Sequence, residues 1–276
     1  MNQEKLKFLK ETAKDVRKKI LLEIYSAQSG HPGGSLSCAD VLTFLYMEVL
    51  NIDSQNPLDP FRDRFVLSKG HASSALYAIL SIKNFLPQHI LKDFRQCSSI
   101  LQGHPDMKRT PGVDMSTGSL GQGVSAANGI ALAGKIDKMD FRVYVLIGDG
   151  ELQEGQVWEA AMFASHYKLD NITYIIDLNG LQIDGKTEEI MNISPIEQKF
   201  ASFGFKTIEI DAHDFLEIET GLNQVKLIKK KPTVVIAKSI KGKGVSFMEN
   251  NPNWHGTAPN SEQFEKAIRE LEEKYV

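Results

Sequence analysis

Short β-branched runs alternate with longer stretches of helical periodicity along this chain, and no other feature limits its fold so strongly. Strands are expected at 65–67, 143–147, 172–177, 207–210 and 233–237. Apolar residues recur at helical spacing near 36–50, 72–84, 122–136, 155–168, 214–229 and 261–275. Leu6, Leu9, Ala13, Val16, Ile20 and Ile24 mark an amphipathic opening helix. A strand that returns through a helix to a parallel strand does so by a right-handed crossover. The expected fold is therefore α/β, a doubly wound, mostly parallel sheet flanked by helices. The 276 residues suit a single domain over 1–276 that includes the opening helix and a C-terminal loop and helix. The stretch 239–260 is rich in Gly, Asn and Pro and poorly patterned, as functional or mobile loops are.

A formal net charge of -3 argues against nucleic acid as the main partner. No apolar run is long enough to cross a membrane. Cys38 and Cys97 are too few for a disulfide framework and point to a reducing, cytoplasmic setting. Glu4, Glu11 and Asp15 are out of place in a transit peptide, and the N-terminus has no apolar signal core.

Ligands of open parallel sheets sit beyond the carboxyl ends of the strands. Ser-Lys-Gly-His71 follows the first expected strand, Gly148-Asp149-Gly150 the second, and Leu178-Asn179-Gly180 the third. Asp149 and Asn179 are separated by one helix and one strand, so both end parallel strands on the same side. A carboxylate and an amide oxygen suit a hard cation such as Mg²⁺, with other oxygens completing an octahedron. Gly148 and Gly150 would let a diphosphate approach closely. Such a triplet alone is also an ordinary turn. Gly118, Gly121 and Gly123 precede a helical run, which is either a plain glycine-rich turn or an anion-binding helix N-terminus.

Six ordered blocks carry a family resemblance: SGHPGGSLS (29–37), LSKGHAS (67–73), GHPD (103–106), STGSLGQG (116–123), GDGELQEG (148–155) and KGKGV…WHGTAP (241–259). Together they resemble transketolase, specifically its thiamine diphosphate-binding N-terminal part. The resemblance implies that Asp149, Asn179 and the Leu181 carbonyl hold Mg²⁺, for which Ca²⁺ or Mn²⁺ could substitute. It implies that the Gly118 backbone, Gly150, Leu120 and Ile183 contact the cofactor. Ser119 stands where some relatives carry Pro.

Four of the seven histidines, His31, His71, His104 and His255, lie beside Gly or Pro at expected loop starts. Imidazole can donate or accept hydrogen bonds at neutral pH, which suits a sugar. By the resemblance His31, His104 and His255 face sugar hydroxyls, and His71 lies between diphosphate and substrate, with His255 also near the cofactor. Lys69 and Lys241 fall near the diphosphate on the same argument, though each could be a solvated lysine. Glu154 resembles a carboxylate that links paired active sites across the interface between subunits, or it serves the dipole of the helix it opens.

The implied reaction transfers a two-carbon ketol unit from a ketose, expected to be phosphorylated, to an aldose, as in the pentose phosphate pathway. The family's pyrimidine-binding and C-terminal domains have no counterpart in this sequence. They are expected on a separate C-terminal subunit, in a heteromer of α2β2 type. Rival readings are a subunit resembling deoxyxylulose phosphate synthase, a non-catalytic regulatory half, and a nucleoside triphosphatase. The last rests on Gly180-Leu-Gln-Ile-Asp-Gly185-Lys186-Thr187, which satisfies the P-loop pattern and requires a helix to start at Lys186-Thr187.

Overall fold

The computed structural model describes residues 1–274. Helices α1 (Gln3–Ala27), α2 (Pro32–Ser37) and α3 (Ala39–Phe44) precede strand β1 (Arg64–Leu67). Helices α4 (Ser73–Ile82) and α5 (Gln122–Ile136) lead to β2 (Val143–Gly148), and α6 (Gly155–His166) leads to β3 (Ile172–Leu178). A small hairpin of β4 (Leu181–Gln182) and β5 (Gly185–Lys186) follows, then α7 (Thr187–Ile190) and α8 (Ile196–Ser202). Strand β6 (Lys206–Asp211), α9 (Phe215–Leu227), β7 (Thr233–Lys238) and α10 (Ser261–Lys274) complete the order.

The main sheet has five strands in the order β1-β2-β3-β7-β6, and every neighbouring pair is parallel. Successive strand side chains point to opposite faces, and the sheet is apolar on both. Phe65, Leu67, Tyr144, Leu146, Ile175 and Val235 pack with α1, α3, α4 and α9. Val66, Val143, Val145, Ile147, Tyr174, Ile176 and Val234 pack with α5, α6 and α8. Helices thus cover both faces, so the central strands read as near-continuous apolar runs. Each fully buried Val or Ile among them contributes roughly 1.5–3 kcal/mol.

All five expected strands are present, each within a residue or two of its expected ends. The helix expected over 36–50 is broken. Cys38 separates α2 from α3, and a π-helical turn spans Leu45–Val49. The two pieces serve different neighbours. Ser37 in α2 reaches the end of β3, while Asp40 in α3 pairs with Arg17 of α1 and His213 before α9. The last position of the helix expected over 261–275 lies outside the described residues. The segment 239–260 has little regular structure but is packed, with Val245, Met248 and Trp254 buried. No described helix is long and apolar enough to cross a membrane.

Candidate functional site

Strands β2 and β3 are in register from Val143↔Ile172 to Gly148↔Asp177, which sets their carboxyl ends side by side. The turns that leave them meet directly. Asp149 Oδ2 accepts from the Gly180 N–H at 2.6 Å and Oδ1 accepts from the Gly150 N–H at 2.8 Å. Asn179 Oδ1 accepts from the Leu181 N–H at 3.1 Å. Burial first, and the neighbouring charge of Asp177 second, push Asp149 up to about 6. A buried carboxylate held by only two neutral donors is a group that a cation would stabilise. Among the described residues no cluster of three His, Cys, Asp or Glu could hold a metal. The oxygens that could hold one instead are the Asp149 carboxylate, the Asn179 amide oxygen and the Leu181 carbonyl, all hard donors of the kind Mg²⁺ takes.

A second carboxylate, Asp177, organises the floor beneath. It is 2% exposed and accepts hydrogen bonds from Lys69 Nζ, Ser37 Oγ, Ser239 Oγ and Asn179 Nδ2. The Asn179 amide is thereby turned so that its oxygen faces the Leu181 N–H. Burial alone would discharge Lys69, but Asp177 beside it reverses this and holds its pKa above the ordinary value. Lys69 is 1% exposed and also donates to the Gly34 carbonyl at 2.8 Å. It is not a solvated lysine.

Glu151 has a similar role on the other side. Its Oε1 accepts from Ser68 Oγ and from the Gly121 N–H at 2.8 Å, and Oε2 accepts from the Gly148 N–H at 3.1 Å. One buried carboxylate therefore ties the ends of β1 and β2 to the loop opening α5. Gly121 is the N-cap of that helix at φ 81°, a left-handed conformation that glycine adopts without strain.

Three imidazoles form a cluster above this floor. Ring centroids lie 5.2 Å apart for His31 and His71, 5.5 Å for His31 and His255, and 5.4 Å for His71 and His255. Burial, followed by the charge of Arg95, lowers His31 to about 4. Burial, followed by Lys241, lowers His255 to about 3. His71 is also held low by burial and Lys69. All three are neutral at physiological pH. Lys241 Nζ lies 2.9 Å from His255 Nδ1 and 3.0 Å from the Leu181 carbonyl oxygen, and so joins the histidines to the hairpin.

Gly242 holds this lysine in place. Its N–H donates to the Gly33 carbonyl at 3.0 Å, its φ is 80°, and an added Cβ would lie 2.3 Å from the Met248 carbonyl oxygen. Gly242→Ala is expected to cost about 1–3 kcal/mol from backbone conformation alone, with the clash adding to it. Denaturant unfolding measures this, and a midpoint equal to wild type would contradict it.

These groups line a cleft of ≈ 370 Å³. His31, Lys69, His71, Gly118, Leu120, Asp149, Gly150, Glu154, Asn179, Leu181, Ile183, Lys241 and His255 all border it. His104 does not; its ring lies behind Gly118, where an added Cβ would meet it at 3.1 Å. Glu154 is exposed at the N-cap position of α6 and makes no side-chain cap. From the sequence alone Asp177 is only a strand end, Glu151 only a letter of the GDGELQEG block, and Arg95 carries no signal. The P-loop alternative fails on geometry. Residues 181–186 form an antiparallel hairpin, and the helix that follows it is only the four residues of α7. The isolated His213 is structural, bridging Asp40 at 2.8 Å and the Ile240 N–H at 2.9 Å.

The family described as "Transketolase, thiamine diphosphate binding domain" matches residues 9–274. The chain is 45% identical to the 6-deoxy-6-sulfo-D-fructose transketolase subunit SqwG of a Clostridium species, over 96% of this chain and 97% of that one. It is 42% identical to an apulose-4-phosphate transketolase subunit from Phocaeicola vulgatus, over 94% and 92% respectively. Its fold matches the solved transketolase of Campylobacter jejuni with a TM-score of 0.90 at 36% identity, covering 99% of this chain but 43% of that longer one. Since the family match takes in nearly the whole chain, including every residue bordering the cleft, the chain belongs to the transketolase thiamine diphosphate-binding domain family.

Proposed function

We propose that this chain is the cofactor-anchoring, N-terminal subunit of a two-subunit transketolase. It would act with a separate C-terminal subunit, in an α2β2 heteromer, in the cytoplasm. The carrying observation is the convergence of the Asp149 and Asn179 turns at the ends of β2 and β3, beneath three neutral histidines. Both named relatives are subunits of nearly this chain's length, which supports a divided enzyme.

In this reading Asp149, Asn179 and the Leu181 carbonyl would hold Mg²⁺, which would supply the positive charge that anchors a diphosphate. Lys241 adds positive charge at the same end, and the Gly118 and Gly150 backbones approach the cofactor. Leu120 and Ile183 offer apolar contact to its rings. Ile183 is 66% exposed at the edge of the cleft, a position that a partner's pyrimidine-binding domain would cover. Thiamine diphosphate, when bound, supplies the electron sink for carbon–carbon bond cleavage and transfer of a ketol unit. His31, His71 and His255 bind and orient the sugar's oxygens, with His104 supporting the rim. The relatives' names specify a phosphorylated or sulfonated sugar, and an anionic ketose is our substrate class.

The test is reconstitution. The chain is co-purified with any candidate C-terminal subunit encoded beside it and assayed for ketol transfer from a ketose phosphate, with and without thiamine diphosphate. Cofactor-dependent transfer by the mixture, absent from either component by itself, is the expected result. A stable complex that binds cofactor and turns over no sugar would favour a regulatory role instead.

A further inference from the structure

We propose that Arg95 is a positioning residue of the cleft: its guanidinium fixes His31 with the ring proton on Nε2, so that His31 meets a bound sugar as a hydrogen-bond donor. The inference starts from the contact itself. Arg95 Nη2 lies 3.4 Å from His31 Nδ1. Arginine has five N–H donors and no acceptor, so His31 Nδ1 must be the acceptor. A neutral imidazole accepting at Nδ1 carries its proton at Nε2. That nitrogen lies on the opposite edge of the ring, which approaches Gly256 and borders the cleft.

The guanidinium is held where it can do this. Arg95 Nη1 donates to Ser29 Oγ at 3.2 Å, and Cζ stands 5.4 Å from the Phe94 ring centroid. On its other side is Gly103, where an added Cβ would come within 2.8 Å of Arg95 Cζ. A side chain at 103 would therefore push the guanidinium out of this position. The backbone of Arg95 is itself constrained, with φ at 61° and its N–H donating to the Leu101 carbonyl at 2.8 Å. A side-chain-bearing residue in the left-handed region costs of order 1–3 kcal/mol and persists only where its surroundings demand it.

Arg95, His104, Lys241 and Lys69 all act on His31, with the rings of His71 and His255 against it. After burial, Arg95 is the largest of the charges holding His31 low. A fixed Nε2–H suits an oxygen acceptor, such as a ketose carbonyl or a hydroxyl lone pair, and does not suit a role as general base. That consequence rests on the sugar-facing reading of His31 above. The tautomer itself can be tested without it.

The experiment is long-range ¹H–¹⁵N correlation on the chain with ¹⁵N-labelled histidine, recorded from below the His31 midpoint of about 4 up through the range where free imidazole titrates. His31 is assigned by the signals missing from His31→Gln. In the wild-type chain His31 is expected to show a protonated Nε2 and a bare Nδ1 at every pH above its midpoint. In Arg95→Met the titration midpoint is expected to rise toward the ordinary imidazole value, while burial keeps it below that value. A wild-type proton on Nδ1 overturns the proposal. So does an Arg95→Met chain whose His31 midpoint and Nδ1 signal are unchanged. Should Arg95→Met fail to fold, the wild-type spectrum decides alone. Calorimetry with thiamine diphosphate and Mg²⁺ on the same wild-type sample separates the two claims. Absence of cofactor binding would count against the proposed function and leave the tautomer result standing.

Discussion

Asp149→Ala should remove Mg²⁺-dependent thiamine diphosphate binding, with affinity falling by at least about a hundredfold. The estimate comes from the position of the residue. Loss of a partner that only orients a metal ligand typically costs roughly 10–100-fold in metal affinity. Asp149 is instead the one anionic side chain in the proposed donor set, so its removal should exceed that range. Its carboxylate also accepts the Gly180 N–H, so the variant frees the turn that carries Asn179 and Leu181. Asp149→Asn separates these effects, since it keeps an oxygen for the Gly180 N–H and loses the charge. Calorimetric titration of thiamine diphosphate into the chain, with Mg²⁺ and then with a chelator, reads the result. The assembly with the proposed C-terminal subunit would give the same comparison. Undiminished Mg²⁺-dependent binding by Asp149→Ala would refute the metal assignment and remove the main support for the proposed function.

The strands were legible because they are buried on both faces, which makes apolar composition alone enough to find them. Helix α5 was legible to its ends for a related reason: glycines open it and Asp137 closes it at a turn. The 36–50 stretch misled because its periodicity is continuous although its packing partners are not. Much of the cleft could also be read, since Asp149 and Asn179 mark strand ends by local sequence. What remained hidden were side chains whose meaning depends on remote partners. Glu151 resembles any helix-opening acid until Ser68 and Gly121 are brought to it. Asp177 is the last residue of an apolar run until Lys69, Ser37 and Ser239 surround it. Arg95 gives no signal at all, because neither its left-handed backbone nor the proximity of His31 follows from the letters FRQ.

Asp177 carries the largest expected effect on stability. Asp177→Ala would leave the Lys69 ammonium fully buried with only the Gly34 carbonyl of its two acceptors. Removing one partner of a buried pair typically costs about 3–5 kcal/mol, because the remaining charge is uncompensated. At roughly 2–4 °C per kcal/mol for a chain of comparable size, the melting temperature should fall by roughly 6–20 °C. The pairing of Lys69→Met with Asp177→Leu removes both charges, and it should recover much of that loss, because well-packed apolar residues can replace a buried ion pair at little cost. Cofactor binding should not recover with it. Asn179 Nδ2 donates to Asp177, and without that bond only the Leu181 N–H holds the direction of the amide oxygen. Scanning calorimetry and ligand titration on the single and double variants test both halves. A double variant as unstable as Asp177→Ala would show that shape rather than charge compensation sets the cost. A double variant that bound cofactor like wild type would show that Asp177 serves the floor of the cleft and plays no part in aiming Asn179.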